Sequence, residues 1–170
     1  MSVQPFEQVV VEHGTVVMRV CRALLGPVDA EDAWADTFLA AMRAYPDLRP
    51  DSDVRAWLVT IAHRKALDAI RATNRRATPT AEVPEPARSS RAQLDHASAT
   101  ADEMALVVAL DTLPFKQRGA VIYHHLAGLT YREVGRLLEC SEAAARRSAS
   151  DGIASLRKHY HQLAEQGATR

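Results

Sequence analysis

The densest ionic chemistry in the chain lies between residues 64 and 76, where Arg64, Lys65, Arg71, Arg75 and Arg76 face a single acid, Asp68. Such a cluster attracts phosphates, and the attraction falls steeply with salt. The alternative is a helix end, where cations are favoured in any case. Arg146, Arg147, Ser148 and Asp151 form a second set inside a later amphipathic segment. Arginine's two parallel donors match the guanine edge in a major groove; the alternative is a solvated helix face. A third set is acidic: Glu31, Asp32 and Asp36 edge an apolar stripe that includes Phe38. From the residues alone these are acids near the start of an amphipathic helix, where they complement its dipole. Trp57 could stack on an unpaired base. It lies on the face of Val54 and Ile61, however, which favours core packing.

Catalysis finds no comparable support. The seven histidines include His124-His125 and His159/His161, and in a helix each pair diverges to different faces. Neither Cys21 nor Cys140 has a nearby Cys or His to complete a ligand set, so no metal site is expected. There is no phosphate-binding glycine loop and no nucleophile motif with partners. No cofactor and no small-molecule substrate are expected, and the chemistry is binding rather than covalent catalysis.

The elements that must position these groups read as helices. Val9, His13, Val16, Val17, Val20 and Leu24 recur at three- and four-residue spacing, and Gly26-Pro27 ends that helix. Asp29 reads as the N-cap of the next, whose stripe is Trp34, Phe38, Ala41 and Tyr45. Pro46 and Pro50 bracket a polar loop. A third helix carries Val54, Trp57, Leu58 and Ile61 and ends in the basic tail to Arg76. Residues 78–100 are rich in Pro, Ala, Ser, Thr and Arg and carry almost no large apolar residue. Such a stretch cannot offset the entropy of ordering it and reads as a flexible linker. Beyond it, Met104, Val107, Val108 and Leu110 mark a helix. Another has Pro114 in its first turn, carries Val121, Ile122 and Leu126, and stops at Gly128. Thr130-Tyr131-Arg132-Glu133 is a capping box ahead of Val134, Leu137 and Leu138. Ser141 suits the N-cap of a last helix to about Tyr160, with Ala145, Ala149, Ile153, Leu156 and Tyr160 facing inward and Arg147, Asp151 and Lys158 outward. Two short helices joined by such a tight turn make a helix-turn-helix unit. No strand is expected.

Two segments carry a family resemblance. The first is Asp29-Ala30-Glu31-Asp32-Ala33-Trp34-Ala35-Asp36-Thr37-Phe38-Leu39 with Arg55-Ala56-Trp57-Leu58-Val59-Thr60-Ile61-Ala62. The second is Leu113-Pro114-Phe115-Lys116-Gln117-Arg118 with Gly128-Leu129-Thr130-Tyr131-Arg132-Glu133-Val134. Together they resemble regions 2 and 4 of bacterial sigma-70 factors of the extracytoplasmic-function type. The resemblance implies an all-α chain of two small helical domains: region 2 over 1–77, the linker 78–100, and region 4 over 101–165. It implies binding to core RNA polymerase, at the clamp through region 2 and the flap through region 4. It also implies promoter DNA as ligand, the start of strand opening, and an anti-sigma partner. Asp32, Asp36 and Phe38 fall on the clamp-docking surface. Arg64, Lys65, Asp68, Arg71, Arg75 and Arg76 fall at the −10 element, with the loop 47–53 near a flipped base. Arg146, Arg147, Ser148 and Asp151 fall at the −35 element. The chain departs from the family pattern in having Ala35 where glutamine is usual, Arg64 where asparagine is common, and Ser148 and Asp151 where arginine is common.

Length and composition agree with this reading. The 170 residues carry 21 Lys+Arg and 21 Asp+Glu, with 47% hydrophobic and 25% charged residues. These are the proportions of an ordinary soluble chain of one or two small domains. Zero net charge argues against a globally cationic nucleic-acid coat but leaves room for local basic patches. The longest uncharged apolar run, Met104 to Leu110, is seven residues, far short of the roughly 20 needed to span a bilayer. No signal peptide is expected, and a cytoplasmic location follows, with sensing left to another protein because no further domain is expected after residue 165. Two rivals remain: a helix-turn-helix regulator that binds duplex DNA without polymerase, and an interaction adaptor whose basic residues are merely solvated.

Overall fold

The computed structural model describes residues 4–77 and 101–167; the proposed linker, 78–100, lies outside them. The chain divides into two compact units, Met1–His96 and Ala97–Arg170, and among the described residues there is no strand.

In the first unit α1 (Phe6–Leu25), α2 (Pro27–Ala44) and α3 (Val54–Ala77) pack mutually. Val9, Val17, Val20, Cys21 and Leu24 of α1 are buried against Ala30, Ala33, Phe38 and Ala41 of α2 and Leu58, Val59, Ala62 and Ala66 of α3. The many alanines let the helices approach closely, and Trp34 Nε1 ties α2 to α1 by donating to the Gly14 carbonyl at 2.9 Å. Val16 is only half-buried.

The junction of α1 and α2 corrects one expectation. Gly26 sits at φ 76°, ψ 172°, a region open essentially to glycine alone. Its neighbour Pro27 is preset for the first helical turn. α2 therefore starts two residues before Asp29, which lies within the first turn rather than capping it. The cap that does form is Asp53, whose Oδ1 accepts from the Ala56 amide at 3.0 Å where α3 begins.

The second unit contains α4 (Ala101–Asp111), α5 (Phe115–Val121), α6 (Tyr131–Leu137) and α7 (Glu142–Gly167), with α7 packed on the other three. The Asp111 carboxylate and Arg118 guanidinium, both largely inside, clamp α4 to α5. Local signals hold closely here. Thr130 Oγ1 accepts from the Glu133 amide at 3.3 Å and Glu133 Oε2 from the Thr130 amide at 2.7 Å, closing the capping box. Ser141 Oγ accepts from the Ala144 amide at 3.1 Å.

Between α6 and α7 the chain turns through Glu139 at φ 51°, and the Cys140 amide donates to the Gly135 carbonyl. A Cβ on Gly135 would stand 2.7 Å from the Cys140 carbonyl oxygen, so only glycine admits so tight a turn.

Four details differ from expectation. Pro114 precedes α5 as its N-cap instead of sitting in its first turn. α5 runs on into a π-turn, Ile122–Leu126, before Gly128 at φ 74°. Val108 is 57% exposed while Ala109 and Leu110 turn inward. α7 continues to Gly167, and Tyr160 is 46% exposed, lying beyond Leu156, the last buried side chain among the described residues.

Candidate functional site

Three exposed surfaces collect the residues singled out by sequence. On α2, Asp32 and Asp36 are both exposed. Phe38 is not: it is 6% exposed and packs against Phe6 and Trp34, with ring centroids 6.3 and 4.7 Å away. It belongs to the core, and its expected place at a docking surface is corrected; it can act there only by setting the pose of α2. The exposed apolar groups are Val28, Leu39 and Met42, at 58, 49 and 52% exposure. Val28, Asp32, Ala35, Leu39 and Met42 follow steps of four and three residues and so form one ridge. Leu39 and Met42 were missed in the sequence. Their spacing from Asp32 was the available signal, masked by the stronger stripe through Phe38.

On α3, Arg64, Asp68, Arg71 and Arg75 are exposed and share one strip; Arg76 is exposed and Lys65 half-buried on the adjoining one. Asp68 Oδ1 stands 3.6 Å from Arg71 Nη1, with both side chains about two-thirds exposed. Such a pair contributes little to stability and leaves the arginine available. Trp57 is half-buried, its ring 6.3 Å from that of Tyr45, so it is partly core and partly surface. In the preceding loop Arg49 pairs with Asp51 at 2.9 Å.

In the second unit Arg146, Arg147 and Asp151 are exposed on α7, while Ser148 is half-buried at the edge of its packed face. No ion pair joins Asp151 to Arg147 among the described residues. Arg146 is engaged on two sides. Its Nη2 lies 3.2 Å from Glu142 Oε1, and its guanidinium sits over the Tyr131 ring, 5.2 Å from the centroid. The other Glu142 oxygen stands 3.8 Å from Arg132 Nε. The Tyr131 ring also stacks on His124 at 3.9 Å and 18°. The π-turn aims that imidazole so that Nδ1 is 2.8 Å from the Leu129 carbonyl. A carbonyl only accepts, so Nδ1 carries the proton. His125 packs edge-on against His124 at 4.8 Å, and its pKa is lowered by burial first and by His124 second. Glu142 was not singled out from the sequence, and Tyr131 and Arg132 were read only as part of the capping-box segment; the four-residue spacing of Glu142 and Arg146 was the one local hint to this cluster.

Among the described residues no group of three or more His, Cys, Asp or Glu could hold a metal ion. Burial pushes the Cys21 thiol up to about 12, which keeps it neutral and a poor ligand or nucleophile. No helix of the described residues is long and apolar enough to cross a membrane.

Comparison with known proteins follows the same division. Residues 9–76 match the family described as Sigma-70 region 2, and residues 103–156 match Sigma-70, region 4. The chain is 31% identical over 144 residues to the ECF RNA polymerase sigma factor SigK of Mycolicibacterium vanbaalenii, covering 82% of this chain and 72% of that protein. It is 35% identical over 144 residues to SigJ of Mycobacterium tuberculosis, covering 79% and 44%. Among solved structures, RpoE of Bartonella quintana, in complex with the anti-sigma factor NepR, superposes with a TM-score of 0.73 at 20% identity over 92% of this chain and 96% of that one. CnrH, solved with the cytosolic domain of CnrY, gives 0.66 at 22% over 92% and 88%. At these identities the structural likeness speaks for the fold alone.

Proposed function

Because the chain belongs to the extracytoplasmic-function group of sigma-70 factors, which bind core RNA polymerase and direct it to promoters, we propose a division of that work among its three surfaces. The α2 ridge, with Asp36 beside it, docks on the polymerase clamp: Asp32 and Asp36 supply charge, and Leu39 and Met42 supply apolar area. Arg71, Arg75 and Arg76 hold phosphates beside the −10 element. Arg64, Lys65 and Asp68, with the loop 47–53, lie where an unpaired base is taken up. Extruding that base costs a few kcal/mol, which a fitted pocket must offset. The second unit binds the flap and lays α7 in the −35 major groove, with Arg146, Arg147 and Asp151 toward DNA and Ser148 at the margin. The working boundaries are 1–77 for region 2, 78–100 for the linker and 101–165 for region 4. The mechanism is binding and strand opening without covalent catalysis, in the cytoplasm. An anti-sigma factor covers the α2 ridge when the protein is silent; the complex of the Bartonella quintana protein with NepR supports such a partner here.

One observation carries the polymerase assignment: two large apolar side chains half-exposed on one ridge of α2 with exposed Asp32, and exposed Asp36 beside it. Exposed apolar side chains gathered on one ridge fit an interaction site. The test is initiation by purified core polymerase on a promoter library, with and without the full chain. Transcripts that require the chain, and that disappear when Leu39→Asp is used, support the reading. Tight duplex binding by the chain alone with no effect on polymerase would assign it instead to a regulator that works without polymerase.

A further inference from the structure

The fork made by Glu142 has no role in the division above. Its two carboxylate oxygens reach different helices of the helix-turn-helix: Oε1 to Arg146 on α7 at 3.2 Å and Oε2 to Arg132 on α6 at 3.8 Å. The three side chains are 46, 62 and 74% exposed, in the order Glu142, Arg146, Arg132. Pairs so exposed contribute little to folding stability. What they do change is freedom of movement. Arg146 is held along one edge by Glu142 and lies over the Tyr131 ring, which itself stacks on His124. Only Nη2 of Arg146 is bonded to Glu142, so donors remain for a base edge. Arg147, one residue on, has no such restraint among the described residues.

We propose that Glu142 is a positioning residue that sets promoter specificity: it pre-orders Arg146 as the base-reading arginine and tempers the attraction of Arg132 and Arg146 for any phosphate. This rests on the assignment of α7 to duplex DNA. A flexible arginine finds phosphate on every sequence. An arginine held in one pose gains most where a matching acceptor meets it. Pre-ordering one long side chain is worth about threefold to tenfold in binding. The carboxylate subtracts from the non-specific component, which grows with each phosphate neutralised. Arg147, left free, supplies sequence-independent contact.

The test uses holoenzyme assembled from core polymerase and the full chain, with duplexes randomised across the upstream element on a fixed downstream element selected by the wild type. Glu142→Gln is expected to hold total DNA binding or raise it, and to steepen the salt dependence by about one. It is expected to reduce the enrichment of the best upstream sequences over the median by about threefold to tenfold. Tyr131→Leu is expected to lower enrichment similarly, with Tyr131→Phe restoring it. A purely structural role would shift the melting temperature and leave the enriched sequences unchanged. If Tyr131→Leu fails to fold, the Glu142→Gln result stands by itself. Undiminished enrichment with Glu142→Gln, or a loss equal on all sequences, overturns the proposal. The combined Arg146→Ala/Arg147→Ala variant separates the two readings. If it leaves binding to the pool unchanged, α7 does not read duplex DNA and both fail. If it weakens binding while Glu142→Gln keeps full enrichment, only the role of Glu142 fails.

Discussion

Removing the apolar half of the α2 ridge gives a quantitative test of the proposed polymerase interface. Leu39 and Met42 are 49 and 52% exposed in the free chain. Complete burial of such a side chain is worth about 1.5–3 kcal/mol. About half of each is already inside the unit, so docking adds on the order of 1 kcal/mol apiece and about 2 kcal/mol together. That sum corresponds to roughly a 30-fold change in Kd. The double variant Leu39→Ala/Met42→Ala is expected to weaken binding to core polymerase by this factor. Labelled full chain titrated with core enzyme measures it directly. Both side chains point outward, so the melting temperature is expected to move little. Phe38→Ala is the contrasting control: at 6% exposure and in ring contact with Phe6 and Trp34, its loss is expected to cost about 3–5 kcal/mol of stability. A double variant that binds core polymerase within threefold of wild type would refute the ridge as a docking surface.

Four further outcomes follow from the same geometry. Changing Arg71, Arg75 and Arg76 together to alanine is expected to weaken holoenzyme binding alike on all promoters and flatten the salt slope by about three, read from binding titrations over a salt series. Asp151→Ala is expected to raise affinity across different −35 sequences, most at low salt where an exposed charge is least screened; a loss confined to one −35 base would make Asp151 a reader instead. Arg118→Met, which removes the guanidinium that clamps α4 to α5 through Asp111, is expected to destabilise the second unit by about 1.5–3 kcal/mol in denaturant unfolding. Burial raises the Cys21 thiol from 9.0 to about 12, so its neutral form is the folded form. The resulting stability is complete below about pH 9 and is lost as pH rises toward 12, a slope that Cys21→Ala is expected to remove from pH-dependent melting.

What the sequence by itself determined was whatever depends on neighbours three or four residues apart. The Thr130–Glu133 box and the Ser141 cap form as read, because both partners lie within one turn and need no other element. The helical character of the chain, the placement of the helix-turn-helix and the outward direction of Arg147 and Asp151 were legible for the same reason.

Tertiary structure decided which of two adjacent apolar residues faces inward. Phe38 and Leu39 stand about 100° apart on α2, and nothing local separates a core residue from an exposed one. α1 covers Phe38 through Phe6 and leaves Leu39 in water. The strained backbone of Gly26, favoured by no side chain of its own, moved the start of α2 ahead of Asp29. The π-turn at Ile122–Leu126 had no residue signal in the sequence, and it carries the His124 that stacks on Tyr131. Glu142 reaches Arg132 only because the turn at Gly135 and Cys140 folds α7 back on α6. Charge along one helix is written in the spacing of its residues; a carboxylate shared between two helices exists only after they have packed.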